Sequence, residues 1–237
     1  MHTAFVKNIP GPGGVVELEQ REHDHLFITL RCRAGEQLRL CDGYGTAALA
    51  ESTAEKTVRV IERSIAEPGR IAVHLFAALP RNAKLDLLLK PATEAGVRSI
   101  TPLKCRYSVS EKSTVPERWY TLLEEACKQS GNPFLPPINP ALNVAEALKY
   151  CAGNNYLVFF GAQHGKLLLP EDIPSEGKLD IAWFVGPEGG FSGDEIAALE
   201  TSGQGITLGE YIFRLENAAL AGIAYIYTIA RAAEAKK

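Results

Sequence analysis

At Pro68 and Gly69 the hydrophobic pattern of the chain changes period, and that change limits the possible folds more than any other feature. Upstream, residues 3–7, 15–19, 37–41, 44–50 and 57–65 are short β-rich runs separated by GPGG, DG and PG turn signals. Only EHDHLFITLR, residues 22–31, interrupts them with helical spacing. Downstream, strands alternate with helices: strands at 71–79, 100–103, 156–161, 181–186 and 205–208, helices at 82–96, 116–130, 143–150, 192–202 and 215–233. This pattern predicts an α/β fold, with a small β-barrel or sandwich carrying one helix ahead of a largely parallel sheet covered by helices. Pro91 lies within the helix at 82–96 and should kink or split it. GNPFLPPINP, residues 131–140, reads as a short rigid connector.

Nothing in the chain asks for a membrane or an oxidising compartment. No apolar run reaches spanning length, and MHTAFVKNIP lacks the basic-then-apolar order of a signal peptide, so a soluble cytoplasmic protein is expected. The five cysteines are scattered, with no CxxC pair and no histidine at a metal-ligand interval, which predicts reduced, buried thiols and no metal. A net charge of −3 excludes a broadly basic nucleic-acid surface, so any RNA partner needs a local basic patch.

GPEGGFSGDEI, residues 186–196, joins the apolar run LDIAWFV to a helical segment. In sheets of this class ligands bind beyond the carboxyl ends of the strands, where this corner falls. Its glycines permit positive φ angles and leave no Cβ to hold a ligand away from the main chain. Ser192 and Glu195 form the S-x-x-E pattern of a capping box. The corner is neither a P-loop nor a GxGxxG fingerprint, and it suits a capped turn as well as a backbone-lined ligand site. Further on, LGEYIFRLENAALAGIAY, residues 208–225, sets Arg214 and Glu216 at the entrance of an alanine-rich helix, where they could form a mere surface ion pair. That helix is apolar on more than one face, as expected for burial within a domain and against a second subunit.

GPEGGFSGDEI followed by LGEYIFRLENAA resembles the paired signature of the RsmE family of ribosomal RNA methyltransferases, in the SPOUT superfamily. The resemblance spans nearly the whole chain. HLFITLRCRAGEQLRLCDG, residues 25–43, is similar to the amino-terminal module, and LLLKPATEAGVRSITPL and ERWYTLLEEACKQSG to the start of the catalytic domain. It implies a PUA-like, RNA-binding β-barrel over residues 1–70. It implies a SPOUT α/β domain with a trefoil knot over residues 71–237, serving cofactor binding and dimerisation. The activity it implies is that of a homodimer using S-adenosyl-L-methionine to methylate N3 of a uridine in 16S ribosomal RNA of the small subunit.

By position, the resemblance places the cofactor among Phe160 and Gly161, then Gly186, Pro187, Glu188, Gly189 and Gly190, then Leu208, Gly209, Ile212, Phe213, Arg214 and Leu215. Arg214 and Glu216 become the catalytic candidates, with Arg214 stabilising charge on the uracil oxygens and Glu216 orienting it or capping the last helix. Arg31, Arg33, Lys90 and Arg106 become the RNA-binding candidates, with Arg39, Arg98, Lys104 and Lys112 as further basic residues nearby. The chain departs from the family pattern at Ile28, Pro91, Ala95, Asn132, Tyr211 and Asn217, mostly at RNA-facing or supporting positions. Two other readings stay open: a SPOUT methyltransferase acting on another RNA position, and a non-catalytic RNA-binding or assembly protein.

Overall fold

The computed structural model describes residues 1–79, 85–108 and 116–235. The chain forms two compact units, one of Met1–Pro68 with Leu123–Leu135, the other of Gly69–Leu122 with Pro136–Lys237. The start of the helix expected at 82–96, and Lys112, lie outside the described residues.

The first unit is built on a curled five-stranded sheet of β1 (His2–Phe5), β2 (Val15–Val16), β3 (Gln37–Cys41), β4 (Thr46–Ser52) and β5 (Val58–Ile65), in the order β1-β3-β4-β5-β2. Alternation in β3 turns Leu38 and Leu40 into the core and leaves Gln37 and Arg39 exposed. These leucines pack with Ala4, Val16, Ala50, Val58 and Val60, each buried side chain of Val or Leu size contributing roughly 1.5–3 kcal/mol. β1 runs parallel to β3, a long-range pairing that local periodicity does not encode.

The helical stretch expected over 22–31 is earlier and broken. α1 (Gln20–Asp24) passes into a π-helical turn over His25–Thr29. Arg31 takes a left-handed φ of 55°, and the Cys32 N–H donates to the Leu26 carbonyl at 2.9 Å, which closes the helix end. The turn buries Leu26 completely and leaves Ile28 exposed. Glu22 is buried as well; it accepts the Phe5 N–H at 3.1 Å and pairs with the Lys128 ammonium, so this carboxylate is compensated.

Residues 131–135, expected to be a connector, are part of this unit. The Gly45 N–H donates to the Pro133 carbonyl at 3.0 Å, and the Leu135 N–H to the Gly43 carbonyl at 2.9 Å. Both Gly43 and Gly45 have positive φ, and Phe134 fills the space a side chain at Gly45 would need.

The second unit is a six-stranded, wholly parallel sheet in the order β11-β9-β10-β6-β7-β8, comprising β6 (Ile71–Ala78), β7 (Ser99–Lys104), β8 (Leu142–Asn143), β9 (Leu157–Lys166), β10 (Leu179–Val185) and β11 (Gln204–Ile206). Every residue of β6 is buried, as the pattern of a central parallel strand requires. Phe76 stacks on Phe184 of the neighbouring strand, ring centroids 4.6 Å apart. The helices are α2 (Leu85–Glu94), α3 (Glu117–Ser130), α4 (Val144–Gly153), α5 (Gly193–Ser202) and α6 (Leu215–Ala235). α2 continues through Pro91 and is not split there. Leu87, whose carbonyl loses its donor, is well exposed, so water can replace the missing bond, and the Pro91 carbonyl still accepts from Ala95 at 2.9 Å. β9 also runs five residues beyond the expected end at Gly161.

Toward the amino ends of the strands lies a polar cluster that no local pattern announced. His74 lies between Ser99, 2.7 Å from Nδ1, and Asp180, 3.0 Å from Nε2, and stacks on Tyr156. A carboxylate only accepts, so Nε2 carries the proton and the Ser99 hydroxyl donates to Nδ1. Burial pushes the His74 pKa below its ordinary 6.5, outweighing the attraction of Asp180. Neutral His74 therefore stabilises the fold fully above about pH 6.5, and that contribution shrinks as pH falls, because the unfolded chain takes up the proton more readily. In chemical denaturation series, the wild type should lose more stability between pH 7 and pH 5 than His74→Gln does; equal slopes would refute this.

All five cysteines are buried, and burial pushes the thiols of Cys41, Cys105, Cys127 and Cys151 up to about 12. Labelling with iodoacetamide at pH 8 is expected to be slow in the native protein and complete only after denaturation.

Candidate nucleotide-binding corner and its relatives

Three adjacent strands, β11, β9 and β10, carry the candidate loops. β10 ends at Val185, and the chain turns through Gly186–Gly190, with the Gly190 N–H donating to the Pro187 carbonyl at 2.8 Å. The three glycines serve different ends. Gly190 takes a φ of +74° and has open space beside it. A Cβ on Gly186 would lie 3.1 Å from the ring of Phe191, and one on Gly189 would lie 3.3 Å from the Cβ of Tyr107. Close packing thus accounts for two of the glycines, a reason the spacing alone did not disclose.

Ser192 caps α5 as the S-x-x-E pattern predicts. Its Oγ accepts the Glu195 N–H at 3.4 Å, and Glu195 Oε2 accepts the Ser192 N–H at 2.7 Å. The other oxygen, Oε1, accepts the Arg106 N–H at 2.9 Å, so one carboxylate joins the helix start to the turn that follows β7. Arg106, expected only as an RNA contact, is therefore brought beside the corner, with its side chain exposed.

Phe160 and Gly161, expected in a loop, lie inside β9; Phe160 sits between Phe184 and Gly205 of the flanking strands and is buried, whereas Gly161 is exposed, with 3.5 Å to Trp183 when a Cβ is added. Beyond β11, Thr207 ties the next loop down, its hydroxyl donating to the Gly209 carbonyl at 3.0 Å and its N–H to the Lys166 carbonyl at 3.0 Å. Leu208 and Gly209 lead into Tyr211, Ile212 and Phe213, which are 78%, 79% and 42% exposed. Uncovered apolar groups of this size, beside main chain outside any helix or strand, suit the faces and edge of a flat heterocycle. Arg214 is exposed and its carbonyl accepts the Ala218 N–H at 2.8 Å, which fixes the start of α6; Leu215 is buried. Glu216 sits in the first turn, and among the described residues no ion pair joins it to Arg214.

Of the other candidates, Lys90 lies on α2 in this same unit, whereas Arg31 and Arg33 belong to the first unit. Among the described residues no group of three or more His, Cys, Asp or Glu side chains could hold a metal ion, and no helix is long and apolar enough to cross a membrane.

The sequence model of the RNA methyltransferase domain matches residues 67–227, which covers the corner, the Arg214 loop and most of α6. The chain belongs to this RNA methyltransferase family. The ribosomal RNA small subunit methyltransferase E of Rickettsia conorii is 30% identical over 223 residues, covering 89% of this chain and 88% of its own. That of Mycobacterium bovis is 29% identical over 232 residues, covering 91% and 87%. A crystal structure of the Neisseria gonorrhoeae ribosomal RNA small subunit methyltransferase E, bound to S-adenosyl methionine, superposes with a TM-score of 0.83 at 28% identity, covering 97% of this chain and 98% of that one. These relatives bear out the RsmE resemblance, and with it the pairing of a curled amino-terminal sheet with a parallel α/β sheet.

Proposed function

We propose that this RNA methyltransferase uses S-adenosyl-L-methionine to methylate ribosomal RNA of the small subunit, and that the acceptor is N3 of a uridine. The observation that carries the reading is the corner itself: Gly186–Gly190 held by the Ser192–Glu195 box, with uncovered apolar groups at Tyr211–Phe213 in the loop that leaves the same carboxyl edge of the parallel sheet after β11, in a chain whose Neisseria gonorrhoeae relative binds S-adenosyl methionine.

The cofactor, when bound, supplies a methyl group already activated on a sulfonium. The protein has to hold the acceptor in line and favour loss of its proton. Main-chain groups of Phe160, Gly161, Gly186–Gly190 and Leu208–Phe213 would bind the adenine edge, and Ile212 would cover a face. Arg214 would stabilise negative charge developing on the uracil oxygens. Glu216, in the first turn of α6, lies where a carboxylate favours the helix dipole. Arg31, Arg33, Lys90 and Arg106 would neutralise RNA phosphates.

The exposed stripe of α6 includes Leu220, Ala224 and Thr228, a surface suited to a second copy of the chain. Sedimentation is expected to give a homodimer, and a stable monomer would refute that part. The activity is tested by incubating the protein with labelled S-adenosylmethionine and small subunits lacking endogenous modification, then locating the methylated nucleoside by mass spectrometry. Label on N3 of uridine supports the reading; label elsewhere redirects the acceptor, and cofactor binding without transfer favours a non-catalytic RNA-binding protein.

A further inference from the structure

We propose that the ring of Tyr107 is the platform on which the acceptor nucleobase stacks, an inference that rests on the RNA methylation reading above. β7 ends at Lys104, and the chain then makes a tight turn in which the Ser108 N–H donates to the Cys105 carbonyl at 2.9 Å and the Cys105 N–H to the Ser108 hydroxyl at 3.1 Å. Cys105 is buried beneath it. The Arg106 N–H is held by Glu195 Oε1 at 2.9 Å. The turn is therefore pinned to the core and to the cap of α5, and Tyr107 sits on it with half its surface open.

A tyrosine so placed does little for the core. Its ring instead rests against Gly189, where an added Cβ would lie 3.3 Å from its Cβ, 3.6 Å from Cγ and 3.7 Å from Cδ2. A side chain at 189 would press on the Tyr107 Cβ, which would have to give by a few tenths of an ångström, so glycine lets the tyrosine sit close against the corner. Enzymes that modify a base read it by stacking between aromatic or apolar groups, and stacking on an aromatic side chain contributes about 1–3 kcal/mol. The neighbouring Arg106 guanidinium is exposed and can meet the adjoining phosphate. Glu195 acts here as a positioning residue, because it sets the turn without touching the base.

The test compares Tyr107→Ala, Tyr107→Phe and Tyr107→Trp with the wild type, using small subunits and labelled S-adenosylmethionine, with cofactor affinity measured by calorimetry. Tyr107→Ala should lower kcat/KM for RNA roughly ten- to one-hundred-fold at unchanged cofactor affinity, and the Phe and Trp variants should restore it. Wild-type kcat/KM in Tyr107→Ala would overturn the assignment while leaving the methyltransferase reading intact. A parallel loss of cofactor affinity would also overturn it, reducing Tyr107 to a buttress of Gly189. A wild type that methylates no RNA would overturn both.

Discussion

Replacing Arg214 by alanine is expected to lower methyl transfer to RNA by roughly 10²–10³-fold while cofactor affinity stays at the wild-type level. The uracil ring gains negative charge on its carbonyl oxygens as N3 loses its proton, and a guanidinium that meets this charge is the kind of group whose removal costs that much. The main chain of Arg214 is held at the start of α6, since its carbonyl accepts the Ala218 N–H and Leu215 beside it is buried. Arg214→Lys should fall between the two, because an ammonium keeps the charge and loses the planar fork. Glu216→Gln should have a smaller effect, as no ion pair ties Glu216 to Arg214 among the described residues. Single-turnover kinetics with saturating cofactor separate these cases, and an Arg214→Ala variant transferring at the wild-type rate would remove Arg214 from the mechanism.

The largest effect on stability is expected at Gly222, in the middle of α6. In an open helical position, exchanging glycine for alanine gains about 1 kcal/mol. Here a Cβ would fall inside the van der Waals shells of Trp183 Cε2, Cζ2 and Nε1. The indole cannot give way, because Trp183 is completely buried and its Nε1–H donates to the Ala218 carbonyl at 3.3 Å. Overpacking of this kind costs about 1–3 kcal/mol and occasionally more, so it outweighs the gain in helix propensity. Gly222→Ala should lower Tm by several degrees, at roughly 2–4 °C per kcal/mol for a chain of this size, and Gly222→Val by more. Gly153, exposed at the end of α4 with open space where a Cβ would stand, is the control; Gly153→Ala should stabilise by about 0.4–1 kcal/mol. Thermal melts giving both variants the same sign would contradict the packing argument.

The features visible in the sequence were those fixed by near neighbours. Residues 37–41 became β3 unchanged, and the S-x-x-E box at Ser192 and Glu195 forms as written, because both depend on contacts within a few positions. A second box, Asn143 with Glu146, starts α4 and was not expected, although its N-x-x-E spacing obeys the same rule. What escaped needed partners far along the chain: the parallel pairing of β1 with β3, the His74 cluster drawn from three strands, and the hold of Glu195 on Arg106 across 89 positions. Gly189 belongs with these. Glycine at that corner suggested room for a ligand, whereas its neighbour in space is Tyr107, a residue no spacing rule associates with it.

Leu123–Leu135 gives the first unit a property that a boundary near residue 70 would hide: it is discontinuous in the gene. A fragment stopping at Pro68 would leave Glu22 without Lys128 and would lose the Gly43 and Gly45 main-chain partners supplied by Leu135 and Pro133. Recombination can therefore not graft this unit onto another protein as one exon-like block. During synthesis, too, it stays incomplete until the ribosome has translated a further stretch belonging to the other unit.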